Sequence, residues 1–281
     1  MHLTIQALVL RVVNYNDTDA LLTVLSKSHG KLTLKARGLR RKKSPLIAPC
    51  QLLAFGEFAV FEYKGYYTIN EAQPIELFVP LRKDLCRLSL ATYFVQAAEV
   101  LAQEDQPDPE LLSLVLNCLH TLSYTNCAEA KVKAVFELRS ACIAGYTPDL
   151  SQCHFCGDKF PDRFDISEGR LECSGCRGLT DAGIRMPITP GVLESMRYIC
   201  TCEPKRLFSF DAGEETINEL SHITEGYILT QLERGFSALD FYKSLAESID
   251  PRYCEPTNSI AFAFADSYER PFSGGRIYSV L

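Results

Sequence analysis

Two groups of residues in this chain have the types and spacing to do chemistry. The first is Cys153-His154-Phe155-Cys156 and Cys173-Ser174-Gly175-Cys176, two C-x2-C pairs parted by sixteen residues. That spacing suits a structural zinc site, in which each pair bends back so that two thiolates reach one ion. Four thiolates fill a tetrahedral shell and leave no position for water, so the zinc expected on Cys153, Cys156, Cys173 and Cys176 would fold a knuckle and not catalyse. Gly157 and Gly175 permit the tight turns, and Phe164 to Leu171 reads as a hairpin that brings the second pair to the first. His154 is the one alternative ligand nearby, and with four cysteines at hand it reads as a turn residue. Disulfides would not stay oxidised in a cytosolic chain.

The second group is the run Lys31 to Lys43, with seven basic residues and no acidic one. From Lys31 to Arg37 the apolar Leu32, Leu34 and Ala36 alternate with Lys31, Thr33, Lys35 and Arg37, a period of two that predicts a strand with one buried and one cationic face. Gly38 breaks that strand. Arg40, Arg41, Lys42 and Lys43 then follow as a cluster ended by Ser44-Pro45, which suits a mobile basic loop. Evenly spaced negative charge is the property of nucleic acid, so Lys31, Lys35, Arg37, Arg40, Arg41, Lys42 and Lys43 are the candidate nucleic-acid contacts. A solvated strand face with a charged loop is the plainer alternative.

The elements that must carry these groups can be read in outline. Leu3 to Val13, Ala20 to Leu25, the basic strand, Leu52 to Tyr63 and Tyr66 to Ala72 predict five short strands within about 80 residues, parted by turn-rich stretches such as Asn14 to Asp19 and Lys64-Gly65. Five strands with no helix-period segment suit a small closed barrel of the oligonucleotide-binding (OB) type. Phe55, Phe58, Phe61, Tyr63, Tyr66 and Tyr67 belong either to its core or to a base-stacking surface, with two or three expected to face a ligand. From Arg82 the period becomes helical, with one helix through Ala102, a second from Pro109 through Leu122, and a third from about Ala128 to Ala144, ended by Gly145 and Pro148. Pro190 to Ile199 and Glu214 to Phe236 predict further helices, and Asp240 to Leu245 a short turn. The expected α+β chain is therefore a barrel over residues 1–80, a helical domain over 81–150 and 187–245, a zinc module over 151–186, and a tail over 246–281.

Composition narrows the function classes. The chain of 281 residues is 47% hydrophobic and 23% charged, an ordinary globular balance, with a net charge of −6. Lys and Arg outnumber Asp and Glu in the first 80 residues and are outnumbered after them. An acidic body of that kind confines any nucleic acid to the basic face. No apolar run approaches the roughly 20 residues of a spanning helix, and the first residues lack a signal-peptide pattern, so a cytoplasmic protein with no membrane partner is expected. There is no Gly-rich phosphate loop ending in Lys-Ser/Thr, no His-Glu-x-x-His and no Gly-x-Ser-x-Gly, which argues against NTPase, metalloprotease and hydrolase chemistry. Asp17-Thr18-Asp19 reads as a hairpin turn in preference to a magnesium site. A catalytic set is not expected; Cys86, Cys118 and Cys142 in helical segments read as small apolar fillers, and Cys200-Thr201-Cys202 has the wrong spacing for a redox pair.

Three stretches carry a resemblance. They are Ala7-Leu8-Val9-Leu10 through Tyr15-Asn16-Asp17-Thr18-Asp19 to Gly30; Lys35-Ala36-Arg37-Gly38-Leu39-Arg40-Arg41 with Lys43-Ser44; and Phe136-Glu137-Leu138-Arg139 followed by Gly145-Tyr146-Thr147-Pro148-Asp149-Leu150 leading into Cys153-x2-Cys156-Gly157. Over about residues 3 to 245 the chain resembles the RecO family of bacterial DNA repair and recombination mediators, some members of which lack the cysteines. The resemblance implies an N-terminal OB domain on a helical domain, no enzymatic turnover, binding of single- and double-stranded DNA, and annealing of complementary strands. It also implies help for RecA in displacing single-stranded DNA-binding protein, together with RecR, near the bacterial nucleoid. Lys131, Lys133 and Arg139 on the third helix are the expected cations for an acidic partner tail. An enzyme of nucleic-acid metabolism, or a transcription or translation factor with an OB domain and zinc ribbon, are the rival readings.

Overall fold

The computed structural model describes residues 1–176 and 183–248. The N-terminal strands β1 (His2–Asn14), β2 (Ala20–Ser26), β3 (Gly30–Ala36), β4 (Phe55–Tyr63) and β5 (Tyr66–Glu76) close into a barrel in the order β1-β2-β3-β5-β4. The alternation read in the basic strand is present, with Leu32, Leu34 and Ala36 buried and Thr33 exposed. Closure rests on a short parallel contact in which Leu34 lies beside Tyr67 and Lys35 beside Thr68. Lys35 therefore sits on the closing seam. Ile5, Ala7, Val9, Leu22, Val24, Leu34, Phe58 and Val60 fill the interior.

β1 is buried on both faces over Ala7 to Leu10. His2 to Leu8 pair with β4 and Ala7 to Asn14 with β2, and the register with β2 shifts between Val9 and Arg11. Val9 points into the barrel, whereas Leu8 and Leu10, with Leu25 of β2, join the core of the helices. Each such leucine contributes about 2 kcal/mol by leaving water. Barrel and helices thus share one continuous packed seam, which the sequence shows only as an unbroken apolar run.

The helical part consists of α1 (Leu85–Leu101), α2 (Pro109–Tyr124), α3 (Glu129–Ile143), α4 (Pro190–Thr201), α5 (Glu214–Leu232) and α6 (Ser237–Ser248). Three of these helices start on a side-chain cap. Asp84, Asp108 and Thr189 accept from the amides of Arg87, Leu111 and Val192, with Pro109 and Pro190 opening the last two of these helices. α3 ends at Gly145 (φ +92°), and the amide of Tyr146 returns to the carbonyl of Ala141. Two expectations need correction. The helix from Glu214 stops at Leu232, since Glu233 is left-handed, and the segment expected as a short turn at Asp240 is the 12-residue α6, which lays Ala238 and Leu239 in the core.

Between α3 and α4 lies a small sheet in the order β6-β8-β7-β9, made by β6 (Asp149–Cys153), β7 (Arg163–Asp165), β8 (Arg170–Glu172) and β9 (Arg185–Pro187). The expected hairpin pairs Phe164 with Leu171. It is docked, not free-standing. Phe164 meets Tyr227 of α5 at 5.3 Å, the Tyr227 hydroxyl donates to the carbonyl of Tyr146, and Arg197 of α4 donates to the carbonyls of Leu150 and Ser151. The tail expected over 246–281 falls outside the described residues from 249 onward.

Candidate nucleic-acid interface and metal centre

The basic segment is built against the turn between β1 and β2. Asn16 nucleates that turn by accepting from the amides of Thr18 and Asp19 on its side-chain oxygen. Asp19 is thereby presented to the basic segment, where it accepts from the amide of Gly38 at 2.9 Å and faces the Lys35 ammonium at 3.5 Å. The Gly38 amide and then the Asn16 amide group hold the Asp19 carboxyl down to about 2, with Lys35 adding to the effect. Gly38 meets this geometry with φ +66°. Arg40 completes the tie, its backbone amide donating to the carbonyl of Thr18 and its guanidinium to that of Asn16.

The expected mobile loop is instead a chain of hydrogen-bonded turns. Arg41 donates to the carbonyl of Gly38, Ser44 to that of Arg41 and Cys50 to that of Leu46, while Leu39, Leu46 and Cys50 are buried against the barrel core. The apolar anchors fix the backbone and push the charges outward. Arg37, Arg40, Arg41, Lys42 and Lys43 are all exposed. Lys35 stands half-buried at their edge, 4.8 Å from the centre of the Tyr15 ring. The cluster lies in the connection from β3 to β4 and is tied to the turn between β1 and β2 through Asp19 and Arg40.

Lys31 departs from the expected cationic face. Its ammonium donates to the carbonyl of Glu99 on α1, and its backbone pairs with the segment after α1 through Gln103 and Asp105. Gly30 beside it packs so close to Gln106 that an added Cβ would lie 2.0 Å from that carbonyl oxygen. Lys31 therefore belongs to the seam between barrel and helices, where it lines a cleft with Arg11, Gln96 and Arg234. The alternation in the sequence gives the face of a residue but not what covers that face.

The three cations expected to meet an acidic partner are engaged inside the helical domain. Lys133 is 3% exposed, and its ammonium contacts Glu225 at 2.9 Å, Glu137 at 3.1 Å and the carbonyl of Ser221 at 3.0 Å. Glu137, wholly buried, also accepts from the hydroxyls of Tyr93 and Thr224. Burial raises its carboxyl above the usual range, and the Lys133 ammonium opposes that rise. Arg139 donates to the carbonyls of Ile199 and Cys200, holding α3 to the end of α4. Lys131 donates to the carbonyl of Phe210 and lies over its ring at 4.3 Å. Burial closes Lys133 to a partner and corrects the expectation for that residue, whereas Lys131 and Arg139 are half-buried and held by carbonyls of the helical domain.

The four cysteines converge. One sulfur from each of Cys153, Cys156, Cys173 and Cys176 lies within 4.8 Å of the others, with Cys156 and Cys173 at 3.5 Å. A tetrahedron with metal–sulfur bonds of about 2.3 Å has sulfurs roughly 3.8 Å apart, so these residues fit one metal ion. The turns are set by the amide of Gly157 donating to the Cys153 carbonyl, with Gly157 at φ +75°, and by the amide of Cys176 donating to that of Cys173. His154 is exposed and outside this set; its amide donates to the carbonyl of Leu171. Among the described residues this is the one group of three or more His, Cys, Asp or Glu that could hold an ion.

A second thiol contact was not legible in the sequence. Cys142 at the end of α3 and Cys200 at the end of α4 bring their sulfurs to 3.6 Å. Hydrogen bonding with Cys200 outweighs burial and holds the Cys142 thiol down to about 7. Among the described residues no helix is long and apolar enough to cross a membrane.

Comparison with known proteins covers nearly the whole described chain. The family model for the Recombination protein O N terminal matches residues 1–78, and that for the Recombination protein O C terminal matches residues 82–240. Among curated relatives, the DNA repair protein RecO of Acetivibrio thermocellus is 35% identical over 246 residues, covering 87% of this chain and 97% of the relative. The DNA repair protein RecO of Heliobacterium modesticaldum is 30% identical over 252 residues, covering 87% and 90% respectively. That of Alkaliphilus metalliredigens is 28% identical over 243 residues, covering 85% and 98%. With both halves matched in order, and with the barrel and helices in the places those halves require, the chain belongs to the RecO family of recombination and DNA repair proteins.

Proposed function

We propose that this protein is a non-enzymatic mediator of DNA repair, which holds single- and double-stranded DNA by its phosphates and anneals complementary strands. In this reading it acts in the cytoplasm at the nucleoid and, with RecR, assists RecA on DNA coated by single-stranded DNA-binding protein. The observation that carries the reading is the exposed cluster Arg37, Arg40, Arg41, Lys42 and Lys43 on an ordered backbone beside the barrel seam. Such a surface neutralises phosphates without reading bases, as an annealing factor must to accept any sequence. Screening two strands at once needs dense positive charge, and the acidic remainder of the chain keeps DNA to this face.

The metal we assign to the four cysteines is zinc, since an all-sulfur tetrahedral set selects it over harder ions. Bound there, zinc supplies a cross-link and no open coordination position. The chain's own part is to hold β6 and β8 together and to keep Phe164 and Leu171 in the helical core. The test of the function is annealing of complementary oligonucleotides coated with single-stranded DNA-binding protein, without any nucleotide cofactor, on DNA and on RNA. Faster annealing of DNA supports the proposal. No acceleration, or acceleration confined to RNA, contradicts it.

A further inference from the structure

The outer face of the barrel carries a row of residues that the phosphate surface leaves unexplained. His2 of β1 stands opposite Phe61 of β4, Phe61 opposite Thr68 of β5, and Thr68 beside Lys35 across the parallel seam. One turn of the ladder further, Tyr63 stands opposite Tyr66. Phe61, Tyr63 and Tyr66 are 39%, 60% and 78% exposed, whereas Phe55 and Phe58 of the same hairpin are buried in cores. The rings of His2 and Phe61 meet at 5.1 Å, and Lys64 lies over the Tyr63 ring at 5.5 Å. An aromatic strip thus begins where the cationic cluster ends.

We propose that Phe61, Tyr63 and Tyr66 form a stacking platform for the unpaired bases of single-stranded DNA whose phosphates lie on Lys35 and the basic segment. Three exposed rings in one strip offer faces on which flat bases can stack, and the cations next to them favour a polyanion as the carrier of those bases. Bases in a duplex are already stacked on one another and present only their edges, so the platform serves single strands alone. It gives the protein a preference that phosphate contacts cannot supply, because both forms of DNA carry phosphates. This inference rests on the phosphate-binding reading above.

The test uses the full chain with Tyr63→Ala and Tyr66→Ala combined, titrated with a single-stranded oligonucleotide and with a duplex of the same length at several salt concentrations. Each lost stack is expected to weaken single-strand binding on the order of tenfold. Duplex binding and the salt slope of both should stay as in the unaltered protein, and Tyr63→Phe with Tyr66→Phe should restore single-strand affinity. In the unaltered protein, a single strand carrying 5-iodouracil should photo-cross-link at Phe61, Tyr63 or Tyr66. Equal loss on single and double strands, no loss at all, cross-links mapping elsewhere, or loss only of a protein partner would each overturn the platform. An unaltered protein that binds neither DNA would instead bring down the phosphate reading beneath it.

Discussion

The amide of Gly38 donates to the carboxylate of Asp19 over 2.9 Å, and this bond ties the basic segment to the turn after β1. Because the same carboxylate also faces Lys35, Asp19 both orients the cations and offsets one of them. Its contribution has a definite pH window. A carboxyl held down to about 2 stabilises the tie fully above about pH 4, its ordinary range, and loses it as pH falls through about 2. The Gly38 amide resonance should therefore titrate with a midpoint near 2; a midpoint near the ordinary carboxylate value would show that the bond does not form in solution.

Metal removal should act on stability and leave the basic segment in place. Cys153→Ser or Cys176→Ser deletes one of four ligands, and Phe164 and Leu171 then lose the cross-link that seats them in the helical core. The melting temperature is expected to fall by roughly 5 °C or more, with DNA affinity at low temperature changed little. Elemental analysis of protein purified without chelator should find one zinc per chain. A zinc-free preparation of full stability would contradict the assignment.

Lys133→Ala should be among the most damaging single changes in the helical domain. It leaves Glu137 buried without its cation and takes from Glu225 one of two, Lys243 being the other at 2.7 Å. Removing one partner of a buried pair costs about 3–5 kcal/mol. Combining Lys133→Met with Glu137→Leu removes both charges at similar volume and should recover most of that loss in denaturant melts. If Lys133→Ala melts like the unaltered protein, the network is solvated and α3 packs differently.

Thiol chemistry offers a check on the junction of α3 and α4. Cys142, held down to about 7, should be alkylated by iodoacetamide with a rate that rises through pH 7, whereas Cys118, buried and pushed up, should resist in the folded protein. Cys200→Ala removes the sulfur 3.6 Å away and should move the Cys142 midpoint upward. A midpoint unmoved by Cys200→Ala would mean that the two sulfurs do not meet.

Local signals in the sequence located the elements well. The two-residue period of β3, the C-x2-C pairs, and the Pro and Gly residues at helix ends each encode local backbone geometry, so each could be read without tertiary information. What covers a face could not. Lys133 and Glu137 are spaced four apart, like any exposed ion pair on a helix. Only the burial of every residue from Val132 to Leu138 shows that α3 is enclosed on all sides, a pattern visible in hindsight as apolar residues around the full turn. The alternation around Lys31 likewise does not reveal its cover, because Glu99 of α1 and Gln103 just after that helix come to it from far along the chain. Tyr15, in the turn-rich stretch after β1, lies beside Lys35, a contact that no local pattern encodes.

The central claim is that the basic segment binds DNA by neutralising phosphates, and the salt dependence of affinity tests it most directly. Arg40, Arg41, Lys42 and Lys43 are replaced together by Ala, with Arg41, Lys42 and Lys43 replaced in a second variant that keeps the Arg40 contact to Asn16. The plot of log affinity against log salt for a single strand should flatten by up to roughly 0.7 for each lost contact, and binding should weaken about equally for unrelated sequences. If both variants keep the slope and affinity of the unaltered protein, these cations are merely solvated and DNA is held elsewhere.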